Sequence, residues 1–421
     1  HPERLEGHHP TTALVTARDI IALWVARMIM SSTYFLKEIP FKDVVIYATI
    51  LAKDGTRMSK SKGNGVDPMD LISMYGADAM RFNLLTLVTN NQDVRFDADI
   101  DKKTHELLGS PRTESARAFV TKIWNASRFV LGNLDGFTPG EPRAVSQADA
   151  WIFSRLAKLS AEVTKDIETY QFGEMARELH AFFWNEFCDW YIEMVKPRLY
   201  NDEDTTKAAA LWTLKTVLGG ALKLLHPYMP FITEEIYCTL NPEEESIMIA
   251  SWPEWKKEWD FKQDEKDVEM IKEAVRSIRG VRTEMNVPPS KKATVYVVAE
   301  DASVRETFEK GKIFFATLAS ASEVLVQSDK NGIADDAVSA VIPQAVIYIP
   351  FAELVDIEKE IQRLEKEEGR LEKELARVNG MLSNERFISK APQAKIDEEK
   401  GKLEKYTQMM EQVKERLAQL R

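Results

Sequence analysis

The stretch Asp54-Gly55-Thr56-Arg57-Met58-Ser59-Lys60-Ser61-Lys62-Gly63-Asn64 brings three cations, three hydroxyls and two glycines together with no apolar periodicity. That mixture suits a mobile loop that grips phosphate. Glycine lets the backbone come close, hydroxyls and amides donate hydrogen bonds, and lysine supplies a compact charge. The GxxxxGK[ST] spacing of a Walker loop is absent. On composition alone, a solvated basic loop without a role fits equally well. His8 and His9 are adjacent histidines that could be metal ligands. With no third ligand nearby they read as solvent-facing histidines sooner than as a metal site.

A loop of this kind needs a strand to deliver it. Ala13-Leu14-Val15-Thr16 and Val44-Val45-Ile46-Tyr47 are short apolar runs that predict two buried strands. Between them Asp19 opens a helix whose apolar positions Ile20, Leu23, Trp24 and Met28 follow helical spacing. Strand, helix, strand, loop is a parallel α/β pattern, which places ligands at the carboxyl ends of its strands. Residues before about Pro10 read as a polar loop, and Asp67-Pro68-Met69-Asp70 as a capped helix start.

From about Thr113 to Leu240 the pattern is helical throughout, with Pro197 and His226-Pro227 predicted as stops. Long helices with short joins predict an antiparallel bundle, and the stripe Phe182, Phe183, Trp184, Phe187, Trp190, Tyr191 is most simply its core. Asp264 to Glu284 is an amphipathic helix. After it, alternating strands and one helix up to Pro350 predict a small mixed α/β unit. Ile357, Ile361, Leu364, Leu371, Leu375, Val378 and Leu382 alternate by three and four, as do Ile396, Leu403, Tyr406, Met410, Val413, Leu417 and Leu420. With a turn at Ser383 to Pro392 they predict an antiparallel coiled-coil hairpin.

The chain of 421 residues is long enough for two to four domains, and 44% hydrophobic with 29% charged residues describes a globular protein. A net charge of −11 argues against a DNA-coating protein but leaves room for a local basic groove. Two cysteines, Cys188 and Cys238, are too few for a disulfide framework or a four-thiolate zinc site. A reducing, cytoplasmic setting is expected. Ile20 to Met30, the most apolar early run, is broken by Arg27 and too short to span a bilayer. The chain begins at His1 without an initiator methionine, as an excised or processed fragment would.

Arg57-Met58-Ser59-Lys60-Ser61 resembles the KMSKS loop of class I aminoacyl-tRNA synthetases. Tyr75-Gly76-Ala77-Asp78-Ala79-Met80-Arg81-Phe82 and Gln92-Asp93-Val94-Arg95-Phe96 resemble the segments that follow it in the valine, isoleucine and leucine branch. Trp124-Asn125-Ala126-Ser127-Arg128-Phe129, Phe183 to Tyr191, and His226-Pro227-Tyr228-Met229-Pro230-Phe231 through Glu235 look like the anticodon-binding helices. Met285-Asn286-Val287-Pro288-Pro289, Leu382 to Phe387 and the terminal hairpin are similar to valine-specific members. The family's HIGH-type sequence is absent, as are the first half of the nucleotide fold and the editing domain. Where family members commonly have glycine, histidine and lysine, this chain has Ala17, Tyr47 and Arg57.

The resemblance implies a multidomain, mainly α chain. Residues 1–111 would be the carboxyl-terminal part of a Rossmann-like parallel α/β nucleotide-binding fold, 112–260 a helical anticodon-binding bundle, 261–350 the small α/β subdomain and 351–421 a coiled-coil tRNA-binding arm. It implies an ATP-dependent ligase that joins valine to its tRNA, with Lys60, Ser59 and Arg57 catalytic and Lys60, Asp19 and Asn64 at ATP. Asp19 serves the adenylate ribose or caps its helix. Mg2+ would enter with ATP as its counter-ion, and no structural metal is expected. Lys122, Arg128 and Arg198 are the bundle cations expected to meet tRNA, and Arg386 belongs to the arm that does. The partners implied are the tRNA for valine, valine and ATP, with no membrane and a monomeric state. The fragment alone is expected to be inactive. A stand-alone tRNA-binding module, or a fragment of the isoleucine enzyme, remains the alternative.

Overall fold

The structure, a computed structural model, describes residues 2–88, 93–101, 103–137, 146–254, 256–354, 357–384 and 392–420. The chain divides into two compact units, His1–Glu269 and Met270–Arg421.

The first unit opens with α1 (Pro2–His8), where the sequence reads as a loop. β1 (Thr11–Ala17) leads through a 3₁₀ turn, Arg18–Ile20, and a π turn, Ile21–Val25, into α2 (Ala26–Phe35). β2 (Phe41–Tyr47) then pairs parallel with β1, in a register that sets Thr11 against Phe41 and Ala17 against Tyr47. Strand order and direction follow the sequence pattern, but burial does not. Val15 is 58% exposed and Ile46 46%, and Leu23, Trp24, Met30 and Phe35 also face solvent. A parallel sheet is normally covered on both faces by further strands and helices. Among the described residues β1 and β2 pair only with each other, so their apolar side chains have no second layer.

β3 (Ile50–Leu51) precedes the basic loop. α3 (Pro68–Tyr75), α4 (Ala77–Thr86), β4 (Val94–Arg95), β5 (Asp99–Ile100) and β6 (Leu107–Gly109) follow it. β3 runs parallel to β4, and β5 antiparallel to β6. Asp67 caps α3 by accepting from the Met69 amide at 2.8 Å, with Pro68 at the first helical position. Leu71, Phe96 and Ala98 form a small core against which Met58, Val66 and Met80 pack.

The bundle comprises α5 (Pro111–Asn133), α6 (Gln147–Glu168), α7 (Phe172–Ala181), α8 (Ile192–Leu199), α9 (Lys207–Leu225) and α10 (Pro230–Leu240). A π-helical stretch, Phe182–Tyr191, joins α7 to α8 without a break and buries Phe183, Phe187 and Tyr191. Pro197 does not stop this helix as expected but lies inside α8. So close to the end, its missing N–H disturbs only the last turn, and Tyr200 still donates to the Lys196 carbonyl at 3.0 Å. α9 is long and apolar enough to cross a membrane, but over half of it is buried in the bundle, as a core helix would be.

The sequence around Asp78 and that around Pro230 meet. The Asp78 carboxylate accepts from the Phe231 and Ile232 amides, at 3.3 and 2.7 Å, on the amino-terminal turn of α10. Arg81 donates to the carbonyls of Pro227 and Tyr228. Burial raises the Asp78 carboxyl, and the two amides oppose that shift. These contacts tie the loop-bearing segment to the bundle.

α11 (Lys262–Glu284) begins in the first unit and ends in the second. In the second unit β7 (Ala293–Val298), α12 (Ala302–Leu318) and β8 (Ala321–Gln327) form a parallel crossover. β9 (Val338–Ile342) and β10 (Ala345–Ile349) form a hairpin that completes a sheet of order β8-β7-β10-β9. Gly311 of α12 packs so close to Ile271 of α11 that an added Cβ would lie 2.5 Å from its Cδ1. After α13 (Phe351–Leu354) come two long helices, α14 (Ile357–Leu382) and α15 (Gln393–Leu420). Leu364, Leu371 and Val378 are buried at intervals of seven. Beyond their own-helix partners Glu367 and Glu374, Arg370 feels Tyr406, and Arg377, one heptad later, feels Glu399 as well as Tyr406. The two helices therefore run antiparallel.

Candidate functional site

The basic loop is a closed structure held from within. Leaving β3, the chain turns at Gly55, whose φ of +84° suits glycine and whose α-carbon faces the Arg95 guanidinium. Asp54 accepts from the amide and hydroxyl of Thr56, at 2.9 and 2.7 Å, and these bonds hold its carboxyl below the ordinary range. Asn64 closes the far end. Its carbonyl oxygen accepts from the Ser59 amide at 2.8 Å, and its Nδ2 donates to the Thr56 hydroxyl at 3.0 Å and the Arg57 carbonyl at 3.2 Å. Met58 points into the small core, while Ser59 and Ser61 meet through their hydroxyls at 3.3 Å.

Gly63 is needed on two counts. Its φ is +60°, and a Cβ there would lie 2.3 Å from Cε1 of His105. His105 Nδ1 in turn sits 3.1 Å from the Gly63 carbonyl oxygen. A cavity of about 370 Å³ lies behind the loop, lined by Lys53, Met58, Lys62, Asn64, Phe96 and His105 among others. The sequence carries no signal that would have placed His105 here, because the contact depends on the turn before β6.

Arg57 and Asp19 form an ion pair, each still largely exposed. Asp19 does not cap its helix. The cap position belongs to Ala17, and no side chain bonds the free amides there. Ala17 and Tyr47, the two departures from the family pattern, are cross-strand partners at the carboxyl end of β1 and β2. The backbone of Lys60 starts a 3₁₀ turn, Lys60–Lys62, and its side chain lies outside the described residues.

The bundle cations divide. Arg128 is exposed on α5, one turn beyond Trp124, itself 43% exposed. Lys122 is half-buried, paired with Asp189 at 2.7 Å and set 5.0 Å above the Trp184 ring. Arg198, a candidate for tRNA contact, is buried. Its Nη1 meets the fully buried Asp149 at 2.8 Å, and its other donors reach Ser146 and the hydroxyl and carbonyl of Thr206. Tyr191 also donates to Asp149 at 2.8 Å. The buried carboxylate needs a charged partner, and α8 supplies the guanidinium from inside the bundle. Arg386 lies outside the described residues.

On α7, burial near Asp166, Glu162 and Glu174 pushes the Glu178 carboxyl up to about 7. Among the described residues, one carboxylate oxygen on each of Glu178 and Asp166 has no hydrogen-bond partner. Among the described residues no three His, Cys, Asp or Glu side chains cluster as metal ligands.

Comparison with known proteins matches three family models. They are described as "tRNA synthetases class I (I, L, M and V)" over residues 1–97, "Anticodon-binding domain of tRNA ligase" over 149–297, and "Valyl tRNA synthetase tRNA binding arm" over 356–421. The chain is similar to the "Valine--tRNA ligase" of Clostridium tetani (strain Massachusetts / E88), at 48% identity over all of this chain and 46% of the relative. It is also similar to that of Clostridium perfringens (strain 13 / Type A), at 46% identity over 99% of this chain and 46% of the relative. It thus spans about half the length of these relatives. A solved leucine-type structure, the "ternary complex of Agrobacterium radiobacter K84 agnB2 LeuRS-tRNA-LeuAMS", overlaps 60% of this chain and 29% of its own. The identity there is 18% and the TM-score 0.46.

Proposed function

Since the chain belongs to the valine–tRNA ligase family, we propose that it is the carboxyl-terminal portion of an ATP-dependent ligase joining valine to its tRNA. In this reading residues 1–111 carry the mobile half of an adenylation site, 112–260 an anticodon-binding bundle, 261–350 a small α/β subdomain and 351–421 a coiled-coil arm that contacts tRNA. The protein works in the cytoplasm as a monomer. The "Valyl tRNA synthetase tRNA binding arm" match favours valine over the isoleucine alternative.

In the first step the valine carboxylate attacks the α-phosphorus of ATP. The bond from that phosphorus to the bridging oxygen breaks, and the electron pair leaves on pyrophosphate. Negative charge builds on the departing group as the bond lengthens. Lys60 would neutralise it, with the hydroxyl of Ser59 donating alongside. A cation on a closing loop that engages only as this charge develops raises kcat and not merely affinity. Asn64 keeps Ser59 in place through its amide. Arg57 and Asp19 share an ion pair where the ribose and phosphates of ATP would lie, so substrate binding exchanges their mutual contact for contacts to the nucleotide. Mg2+ arrives as the counter-ion of ATP. A hydroxyl of the terminal tRNA ribose then attacks the valyl carbonyl and loses its proton, and the bond from that carbonyl to the phosphate oxygen breaks to release AMP.

The observation that carries this reading is the placement of loop and carboxylate: Asp19 follows β1, the loop follows β3, and Arg57 joins the two. Brought together after strand ends, they form the setting that parallel α/β folds use for ligands. The uncovered apolar side chains of β1, β2 and α2 support the view that the adenylation site needs more of the nucleotide fold than this chain holds.

The test is valine-dependent ATP–pyrophosphate exchange. The purified chain is expected to show none. In an intact ligase containing these residues, Lys60→Ala should lower exchange by on the order of a hundredfold, about 3 kcal/mol of transition-state stabilisation. Exchange by the chain alone would refute the need for further sequence, and unchanged exchange in the variant would refute the role of Lys60. The second reading, a tRNA-binding module without catalysis, gains only from the bundle and arm matches. It predicts no effect of Lys60 in any setting.

A further inference from the structure

His105 belongs to the turn between β5 and β6, 42 residues beyond Gly63, yet its ring lies against the end of the basic loop. A Cβ at Gly63 would fall 2.3 Å from Cε1 and 2.5 Å from Nδ1, so the imidazole covers the bare α-carbon there. A carbonyl oxygen only accepts. In the 3.1 Å contact with the Gly63 carbonyl, Nδ1 therefore carries the proton and donates.

The turn that presents this ring is firmly built. The Asp101 carboxylate accepts from the Lys103 and Thr104 amides at 2.7 and 2.9 Å, and its carbonyl accepts from the His105 amide at 2.9 Å. The Asp101 amide in turn donates to the Glu106 carbonyl at 2.9 Å. Ile100 before the turn and Leu107 after it pack against the core of Leu71, Phe96 and Ala98, which also receives Met58 and Val66 from the loop side. Loop and turn thus stand on one foundation. His105 itself is exposed and sits at φ +60°, a left-handed conformation that disfavours a side chain. An exposed ring gains little from burial to offset that. What the unusual backbone secures is the contact with Gly63.

Gly63 is the first residue after the 3₁₀ turn Lys60–Lys62. Before that turn the Ser59 amide is held by Asn64, and the Lys62 amide donates back to the Ser59 carbonyl at 3.2 Å. After it the Gly63 carbonyl is held by His105. The backbone that carries Lys60 is pinned on one side from within the loop and on the other by a residue outside it. We propose that His105 is a positioning residue, whose Nδ1–H latches the loop at Gly63 and so sets the backbone from which Lys60 reaches the departing pyrophosphate. The proposal rests on the reading of this loop as half of an adenylation site. A bond that favours the engaged loop acts where charge develops, so it raises kcat and leaves valine binding alone.

The test is valine-dependent ATP–pyrophosphate exchange by three variants of an intact ligase containing these residues. His105→Gly removes the donor and relieves the backbone. Asn and Asp both tolerate a positive φ and have the same shape, but Asn offers an amide nitrogen at the bond distance of Nδ1, whereas Asp offers acceptors alone. His105→Gly and His105→Asp should lower kcat about three- to tenfold, the loss of one hydrogen bond, with the KM for valine unchanged. His105→Asn should stay within about twofold of the parent. Melting temperatures check that each variant is folded. Parental kcat in His105→Gly would overturn the latch. So would a loss in His105→Asn as large as that in His105→Asp, because the donor would then not matter. A KM for valine that rises as kcat falls would also overturn it, as the mark of a damaged fold. Lys60→Ala measured alongside separates the two claims. Lost exchange there with parental His105→Gly removes the latch alone, whereas parental exchange in Lys60→Ala removes the reading of the loop and the latch with it.

Discussion

Arg57 and Asp19 stand 38 residues apart in sequence and join as an ion pair at the mouth of the candidate site. One comes from the basic loop and the other from the turn after β1. The pair therefore couples the loop to the parallel strands, and it does so with charges that remain largely in solvent. An exposed pair contributes little to overall stability, about 0–1 kcal/mol. Its effect should be local. Asp19→Asn is expected to leave the melting temperature unchanged while trypsin cleaves after Arg57 about two to five times faster, as a pair of that strength implies. Equal cleavage rates would show that the pair does not restrain the loop.

Gly63 is the position where the loop tolerates least change. Alanine there must adopt a φ of +60° and meet the His105 ring. Gly63→Ala should cost about 1–3 kcal/mol locally, read as faster amide exchange at Ser59, whose N–H is held by Asn64. Adding His105→Ala should recover part of that loss by removing the clash but not the strain. A double variant that exchanges like the parent would mean that φ imposes no cost, and one no better than Gly63→Ala would mean that the ring is not in the way.

Arg198 tests the distinction between a structural and an RNA-binding cation. Arg198→Met leaves Asp149 buried without its charge partner, so the chain should lose about 3–5 kcal/mol in denaturant unfolding. Pairing it with Asp149→Leu should restore most of the loss. Affinity for tRNA per folded molecule should not change in either variant. A loss of tRNA affinity in the folded double variant would return Arg198 to the RNA contacts.

The first unit shows where sequence was informative and where it was not. The strand–helix–strand order, the Asp67 cap and the glycine-bounded loop are local matters, written in residue type and spacing. Burial is not local. Val15 and Ile46 look like core residues because their pattern reflects a complete parallel sheet, and only the fold shows that the described strands have no further neighbours. The burial of Arg198 was illegible for the same reason. A cation on a helix is presumed exposed until a buried carboxylate is found opposite it, and Asp149 lies far away in sequence. The contact of His105 with Gly63 depends on tertiary approach and left no trace in spacing.

Glu178 gives the protein a pH dependence of predictable sign. Its folded value, about 7, lies above the ordinary 4.5 because burial and neighbouring carboxylates disfavour the charged form. Between those values the folded state holds a proton that the unfolded state has released, so folding is favoured as pH falls from above 7 towards 4.5. Glu178→Gln removes this dependence. Its melting temperature should exceed that of the parent at pH 8 and match it near pH 4.5. The same difference at both pH values would show that Glu178 titrates normally.

The most direct test of the central claim is the affinity of the 421-residue chain for two transcripts, the tRNA for valine and the tRNA for isoleucine, measured in the same salt. If this is the tRNA-binding portion of a valine–tRNA ligase, the first should bind about tenfold or more tightly than the second, a difference of roughly 1.4 kcal/mol. Equal affinities, or a preference for the isoleucine transcript, would contradict it.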